Sequence, residues 1–142
     1  MASAHEPIAI GKSLLRRDAP GKVTGETNYP GDFNLDGQLW MKLRFSDRVH
    51  ARVVRVDTSA AESVPGVVAV YTAKDVPHNE YGLVHKDQPV LCGPGSGNPY
   101  AEHVRCYMDC VAVVVAETEA IAAQAVKQIT IEYENLPGVF ET

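Results

Sequence analysis

Residues 104–136 constrain the fold of this chain more than any other stretch. Val111-Ala-Val-Val-Val-Ala116 is an uninterrupted, largely β-branched apolar run, the pattern of a strand covered on both faces. Glu117-Thr118 breaks the run, and Thr118 is a good N-cap with Glu119 suited to the positive start of a helix. Ile121, Ala122, Ala125, Val126 and Ile129 then recur at helical spacing, with Lys127 in the last turn. From Ile129 the pattern becomes alternation. Ile129, Ile131 and Tyr133 share one face, and Thr130, Glu132 and Glu134 the other, until Asn135-Leu-Pro-Gly138 ends the strand. The segment therefore predicts a strand–helix–strand unit.

The rest of the chain supplies partners for it. Its 142 residues fit one domain able to bury about 70% of its unfolded surface. Met1 to Pro7 shows no pattern and is expected to be a flexible tail, 1–7, before a domain over 8–142. Residues 8–37 are expected to be extended chain and turns, with turn signals at Asp18-Ala-Pro20-Gly21 and Pro30-Gly31-Asp32. In Gln38–Phe45, Leu39, Met41, Leu43 and Phe45 alternate with Trp40, Lys42 and Arg44, which predicts a strand whose apolar face is covered and whose Trp40 face is exposed. Ser46–His50 has hairpin length before a strand at Ala51–Val56. Asp57-Thr58-Ser59 can cap a short helix over 59–64. Val67–Tyr71 reads as a buried strand, Ala73–Val76 as a helical turn, and the two strand–helix–strand units echo each other in spacing. Residues 78–103 form a long irregular insertion, with a short strand at Gln88–Leu91 and a flexible Gly93–Gly97 tip.

Chemistry is sparse. A net charge of −5 with dispersed cations argues against nucleic acid and anionic membrane as partners. No apolar run approaches the ~18 residues of a membrane span, and no signal-peptide core is present. Gly93-Pro-Gly-Ser-Gly97 lacks the Lys-Ser/Thr pair and following helix of a phosphate loop, so it reads as a loose surface loop. Cys92, Cys106 and Cys110 are an odd set of reduced thiols acting as small hydrophobes. Cys106 and Cys110, on one predicted strand, lie about 13 Å apart, too far to share an ion. His50 and His103 have no nucleophile at a recognisable spacing, and Ser46, Ser59, Ser63 and Ser96 sit in no nucleophile elbow. Glu132 and Glu134 read as a solvated strand edge. Lys42 is mid-strand, unlike a carrier lysine at a hairpin tip. No catalytic, cofactor-binding or metal-binding residue emerges.

An ordered set of short motifs does carry a resemblance. It runs Gly11-Lys-Ser-Leu-Leu-Arg-Arg17-Asp18, Lys22-Val-Thr-Gly25, Tyr29-x-x-Asp32, Ser46-x-x-x-His50-Ala51, Asp57-Thr58, Pro65-Gly66-Val67 and Thr72-Ala-Lys-Asp-Val-Pro77. It continues with Val111-Ala112, Ala116-Glu-Thr118 and Glu132-Tyr-Glu-x-Leu-Pro137. From Ile8 to about Val139 the chain resembles the N-terminal α/β-hammerhead domain of the molybdopterin-binding subunit of the xanthine dehydrogenase and aldehyde oxidase family, with 79–92 most like the bacterial xanthine dehydrogenase type. One departure stands out. Many members carry Gly-Glu/Asp-Pro-Val-Ala before the central strand, whereas this chain has Met108-Asp-Cys-Val-Ala112, which predicts a regular strand from Val104 onward.

The resemblance implies an α+β fold, an α/β-hammerhead with a mixed sheet and two strand–helix–strand units. It also implies a structural, non-catalytic domain cut or split from a cytoplasmic molybdenum hydroxylase that uses water to hydroxylate a purine, another N-heterocycle or an aldehyde. Molybdenum-pterin, [2Fe-2S] clusters and FAD would then lie on other domains or partner subunits, which this domain packs against. The other reading is a stand-alone binding or assembly module reusing the fold, drawing on the 78–103 loop and an exposed Trp40.

Overall fold

Residues 10–141 are described by the computed structural model, and the chain divides into two compact units between Asp36 and Gly37. The expected 1–7 tail lies outside the described residues. In the first unit the Asp18-Ala-Pro20-Gly21 signal opens a short helix, α1 (Ala19–Thr24), where a turn was expected. Pro20 presets the backbone of its first turn. Asp18 pairs with Lys22 at 2.7 Å and with Arg16; these cations, Lys22 foremost, hold its carboxyl below the ordinary range. Gly25 closes the helix with φ 80°. The turn expected at Pro30–Asp32 is present, with the Tyr29 N–H donating to the Asp32 carboxylate.

The second unit contains β1 (Trp40–Phe45), β2 (Ala51–Asp57), α2 (Ser59–Glu62), β3 (Val67–Thr72), β4 (His103–Val104), β5 (Cys110–Ala116), α3 (Glu119–Ala125) and β6 (Thr130–Asn135). The α+β class stands, and its strands divide between two antiparallel sheets, ordered β1-β5-β3 and β4-β2-β6. Each strand–helix–strand unit crosses between the sheets: β2-α2-β3 leads into the first, β5-α3-β6 back to the second.

β5 is central in its sheet as expected, but only one of its faces is covered: Val111, Ala112, Val114 and Ala116 are buried, whereas Val113 and Val115 are half-buried on the outer side. Its register slips opposite Arg44 and Phe45, leaving Val111 between the paired Cys110 and Ala112. That bulge sends two successive residues into two cores. Val111 joins Ala51, Val53, Cys92 and Val104; Ala112 joins Val114, Ala61, Ala125 and Ile129. Val56 and its register partner Ile131 pack against both clusters. Helix α3 starts as expected, with the Thr118 hydroxyl accepting from the Ile121 N–H at 3.2 Å. It buries Ala122 and Ala125. Gly66, at φ 86° before β3, lies so close that a Cβ there would stand 2.6 Å from Ile121 Cδ1.

Several expectations are corrected. No β1–β2 hairpin forms, because 46–50 carries the chain from one sheet to the other. Ser46 is buried, donates its N–H to the Asp109 carbonyl at 2.8 Å and holds both polar backbone groups of Arg48 through its hydroxyl. The faces of β1 are inverted: Trp40, Lys42 and Arg44 turn inward, half-buried, while Met41, Leu43 and Phe45 face out. Lys42 reaches Glu119 of α3 at 2.6 Å, its stem covering the sheet while its ammonium stays at the rim. β3 is half-exposed rather than buried, with Val68 and Tyr71 outward. Gln88–Leu91 is no strand; only an isolated bridge joins Tyr81 to Gln88.

The predicted regular strand from Val104 is also broken. Residues 105–109 turn sharply, and the Asp109 carboxylate accepts from the backbone N–H groups of Arg105 (2.6 Å) and Cys106 (3.1 Å). Met108 adopts φ 102°, a conformation that glycine takes without steric cost. Met108 thus holds a backbone conformation to which the family's glycine is suited. Replacing Met108 with Gly is expected to raise unfolding free energy by about 0.5–1 kcal/mol, relief of strain outweighing the added freedom of the unfolded chain. Urea unfolding at constant m-value checks this.

Candidate functional site

Two of the side chains with chemical potential, His50 and Asp109, are engaged by nearby backbone groups. His50 Nδ1 lies 2.8 Å from the Pro137 carbonyl; that oxygen only accepts, which places the proton on Nδ1. His103 sits opposite Arg52 in the β4–β2 ladder, and Asp109 is occupied by its turn. His50 lines an open, mostly apolar cleft of about 480 Å³ with Arg105, Cys106 and Phe140, and neither His103 nor Asp109 contributes to it. Glu132 and Glu134 are exposed on the border strand β6, as expected, and Glu134 pairs with Arg52 at 2.8 Å.

The thiols divide into two kinds. Cys92 and Cys110 fit the small-hydrophobe expectation: burial pushes their thiols up to about 12 and about 11. Cys106 does not, since it is exposed in the 105–109 turn rather than on the strand with Cys110. Among the described residues, no group of three His, Cys, Asp or Glu is arranged to hold a metal ion. No helix among them is long and apolar enough to cross a membrane.

The glycine-rich tip departs from the loose loop expected. Gly93 is buried and gives its N–H to the Ala101 carbonyl at 2.6 Å, while Cys92 N–H donates to Cys110. Sequence reasoning missed the residue that organises this insertion, Asn79, which is 4% exposed. Its amide donates to the Leu91 carbonyl at 2.8 Å and accepts from the N–H groups of Val90 and Leu91, both at 2.9 Å. Asn98 closes the loop by donating to the Asn79 carbonyl. Its place two residues after Pro77 was the only signal, and an asparagine close to a proline reads equally well as a surface turn.

What remains available is a surface. On the outer side of the first sheet, Met41 (61% exposed) and Leu43 of β1 are paired with Val115 and Val113 of β5, which in turn face Ala69 and Tyr71 of β3. Phe45, Tyr107 and Met108 extend the exposed apolar set. An apolar sheet face of this kind is the usual mark of an interaction surface.

Known proteins resemble the chain throughout. A family model described as "Aldehyde oxidase and xanthine dehydrogenase, a/b hammerhead domain" matches residues 24–137. The chain belongs to this family. Among curated relatives, it is 45% identical over 125 residues to a probable xanthine dehydrogenase subunit of Bacillus subtilis (strain 168), covering 87% of the chain and 16% of the relative. It is 35% identical to the "Nicotinate dehydrogenase large molybdopterin subunit" of Eubacterium barkeri, covering 92% of the chain and 29% of that protein. Among solved structures, CO dehydrogenase from Oligotropha carboxidovorans superposes with a TM-score of 0.80 at 32% identity, over 92% of this chain and 16% of that one. Quinoline 2-oxidoreductase from Pseudomonas putida 86 gives 0.75 at 34%, over 89% and 16%. The chain thus spans less than a third of the length of these relatives, which fits a hammerhead domain of a larger molybdenum hydroxylase.

A [2Fe-2S] cluster does not fit the cysteines of this chain. A [2Fe-2S] cluster takes four thiolates; the chain has three cysteines, two of them held protonated by burial.

Three measurements check this assignment of roles. Asn79→Ala is expected to lower stability by about 2–4 kcal/mol, since it leaves buried backbone groups unpaired, and to raise amide exchange in 88–98. At about pH 8, Ellman's reagent is expected to titrate one thiol, Cys106, in the native protein and all three in denaturant. Above the ordinary thiol pKa of 9.0 the unfolded state ionises Cys92 and Cys110 before the folded state does. Stability should therefore hold below about pH 9 and fall toward pH 11–12, less steeply in Cys92→Val.

Proposed function

We propose that this chain is a structural domain of a xanthine dehydrogenase-like molybdenum hydroxylase and is non-catalytic by itself. In the intact enzyme, which acts in the cytoplasm, a C–H of a purine, another N-heterocycle or an aldehyde becomes C–OH with oxygen from water, releasing two electrons and two protons. The molybdenum-pterin centre sits on other domains of the molybdenum subunit, with [2Fe-2S] clusters and FAD on partner subunits or domains. The hammerhead packs against them and supplies shape rather than a reacting group.

The observation that carries this reading is the outward apolar face of the first sheet. A strand pattern that normally turns inward is spent on the surface here, while the candidate acids, bases and thiols serve the fold. Burial of a face of this kind contributes roughly 25 cal/mol per Å² of apolar surface removed from water. The alternative, a stand-alone binding module, draws on an exposed Trp40 and a free 78–103 loop; Trp40 is half-buried on the inner face, and Asn79 ties the loop down.

Dye-reduction assays on the purified 142-residue chain, supplied with molybdenum-pterin and a purine or aldehyde, test the reading. No turnover is expected, together with concentration-dependent self-association in light scattering. Substrate-dependent turnover by the chain alone sinks the reading. An isolated gene, rather than a reading frame that continues into further molybdenum-subunit domains, favours the module.

A further inference from the structure

Along the free edge of β1 lies a cleft that the scaffold reading leaves unused. β5 pairs with one side of β1, and no strand among the described residues pairs with the other. Beside that edge is a space of about 350 Å³, with Leu43, Arg44 and Phe45 on one wall and Met108, Val126 and Lys127 on another. Two cations meet there without a dedicated anion. Arg44 makes a single long side-chain contact, 3.5 Å from its Nη1 to the Phe45 carbonyl, and its Nε is buried with no partner. Lys127, just after α3 in a turn packed against β1, has no hydrogen-bond or ion-pair partner among the described residues. The contrast is with Lys42, two residues back on the same face of β1, whose ammonium has Glu119 at 2.6 Å. Asp47 also lines the cleft, but its carboxylate is 3.8 Å from Arg48.

We propose that this cleft takes an extended segment of a partner polypeptide with the pattern apolar–acidic–apolar, which adds to β1 as a further strand. An open strand edge offers backbone donors and acceptors to such a segment. Side chains alternate across an added strand. A carboxylate opposite Arg44 therefore enters the inner side, where it meets Arg44 Nε and Lys127, and its two neighbours fall on the outer side beside Leu43 and Phe45. One carboxylate thus supplies an acceptor to a guanidinium whose Nε has none, and charge-assisted bonds of this kind are the strong ones. The proposal goes beyond the scaffold reading and stands whether or not that reading holds.

The test uses the full 142-residue chain, labelled with ¹⁵N, and the capped peptide acetyl-Thr-Val-Glu-Val-Thr-amide, with the Gln peptide and sodium acetate as comparisons. The Glu peptide is expected to shift the amides of 43–47 and 126–127 and to bind about fivefold or more tightly than the Gln peptide at low salt. That preference should shrink between about 50 and about 500 mM NaCl. Arg44→Gln and Lys127→Gln should each abolish the preference, and Lys74→Gln should leave it intact; Lys127 is exposed, so its variant serves if Arg44→Gln fails to fold. Equal binding of the two peptides, shifts located elsewhere or no shifts at all overturn the proposal. Acetate reproducing the peptide's shifts at the same affinity also overturns it, leaving a small-anion site only.

Discussion

The double pairing of β5 is the constraint on which the second unit depends. Among the described residues β1 and β3 have no other strand partner, and helix α3 packs against both of them. The β5 bulge aims Val111 and Ala112 into different clusters, so one strand contributes to both cores. Val56 and Ile131 then join the clusters from the second sheet. Small side chains dominate these cores, with Ala51, Ala61, Ala112, Ala122 and Ala125 fully buried. They allow close approach of helix and sheet, and leave little room to absorb a larger residue.

Much of the fold was legible in the sequence, for identifiable reasons. The β5–α3–β6 stretch was readable because an apolar run, an N-cap and two periodicities agree. The inversion of β1 was not. Alternation says which residues share a face but not which face is covered, and the long stems of Lys42 and Arg44 cover a sheet as a leucine would. The missing hairpin had a related cause. Loop length permits a turn back, but the buried hydrogen bonds of Ser46 decide that the chain moves on to another sheet.

The candidate site was legible mainly in what it lacks. The spacing of His50, His103 and the cysteines suggested no catalytic set; the structure adds that His50 and Asp109 bond to nearby backbone groups and that the thiols of Cys92 and Cys110 are pushed up by burial. Asn79 escaped notice because its partners, Val90 and Leu91, are more than ten positions away. The unpaired Arg44 also left no trace in the sequence, where it is one cation alternating with apolar residues. Its isolation arises from the third dimension alone.

The pairing scheme has a consequence for synthesis. The second unit's strands up to Thr72 have no partners among themselves: β1 and β3 wait for β5, and β2 for β4 and β6. A nascent chain leaving the ribosome therefore carries three strands with no ladder to join until residues well beyond 100 have emerged. Such non-local closure is slow and leaves sticky intermediates. Assembly of this unit is a late, all-together event, and its first half is a client for chaperones for as long as the second is still being made.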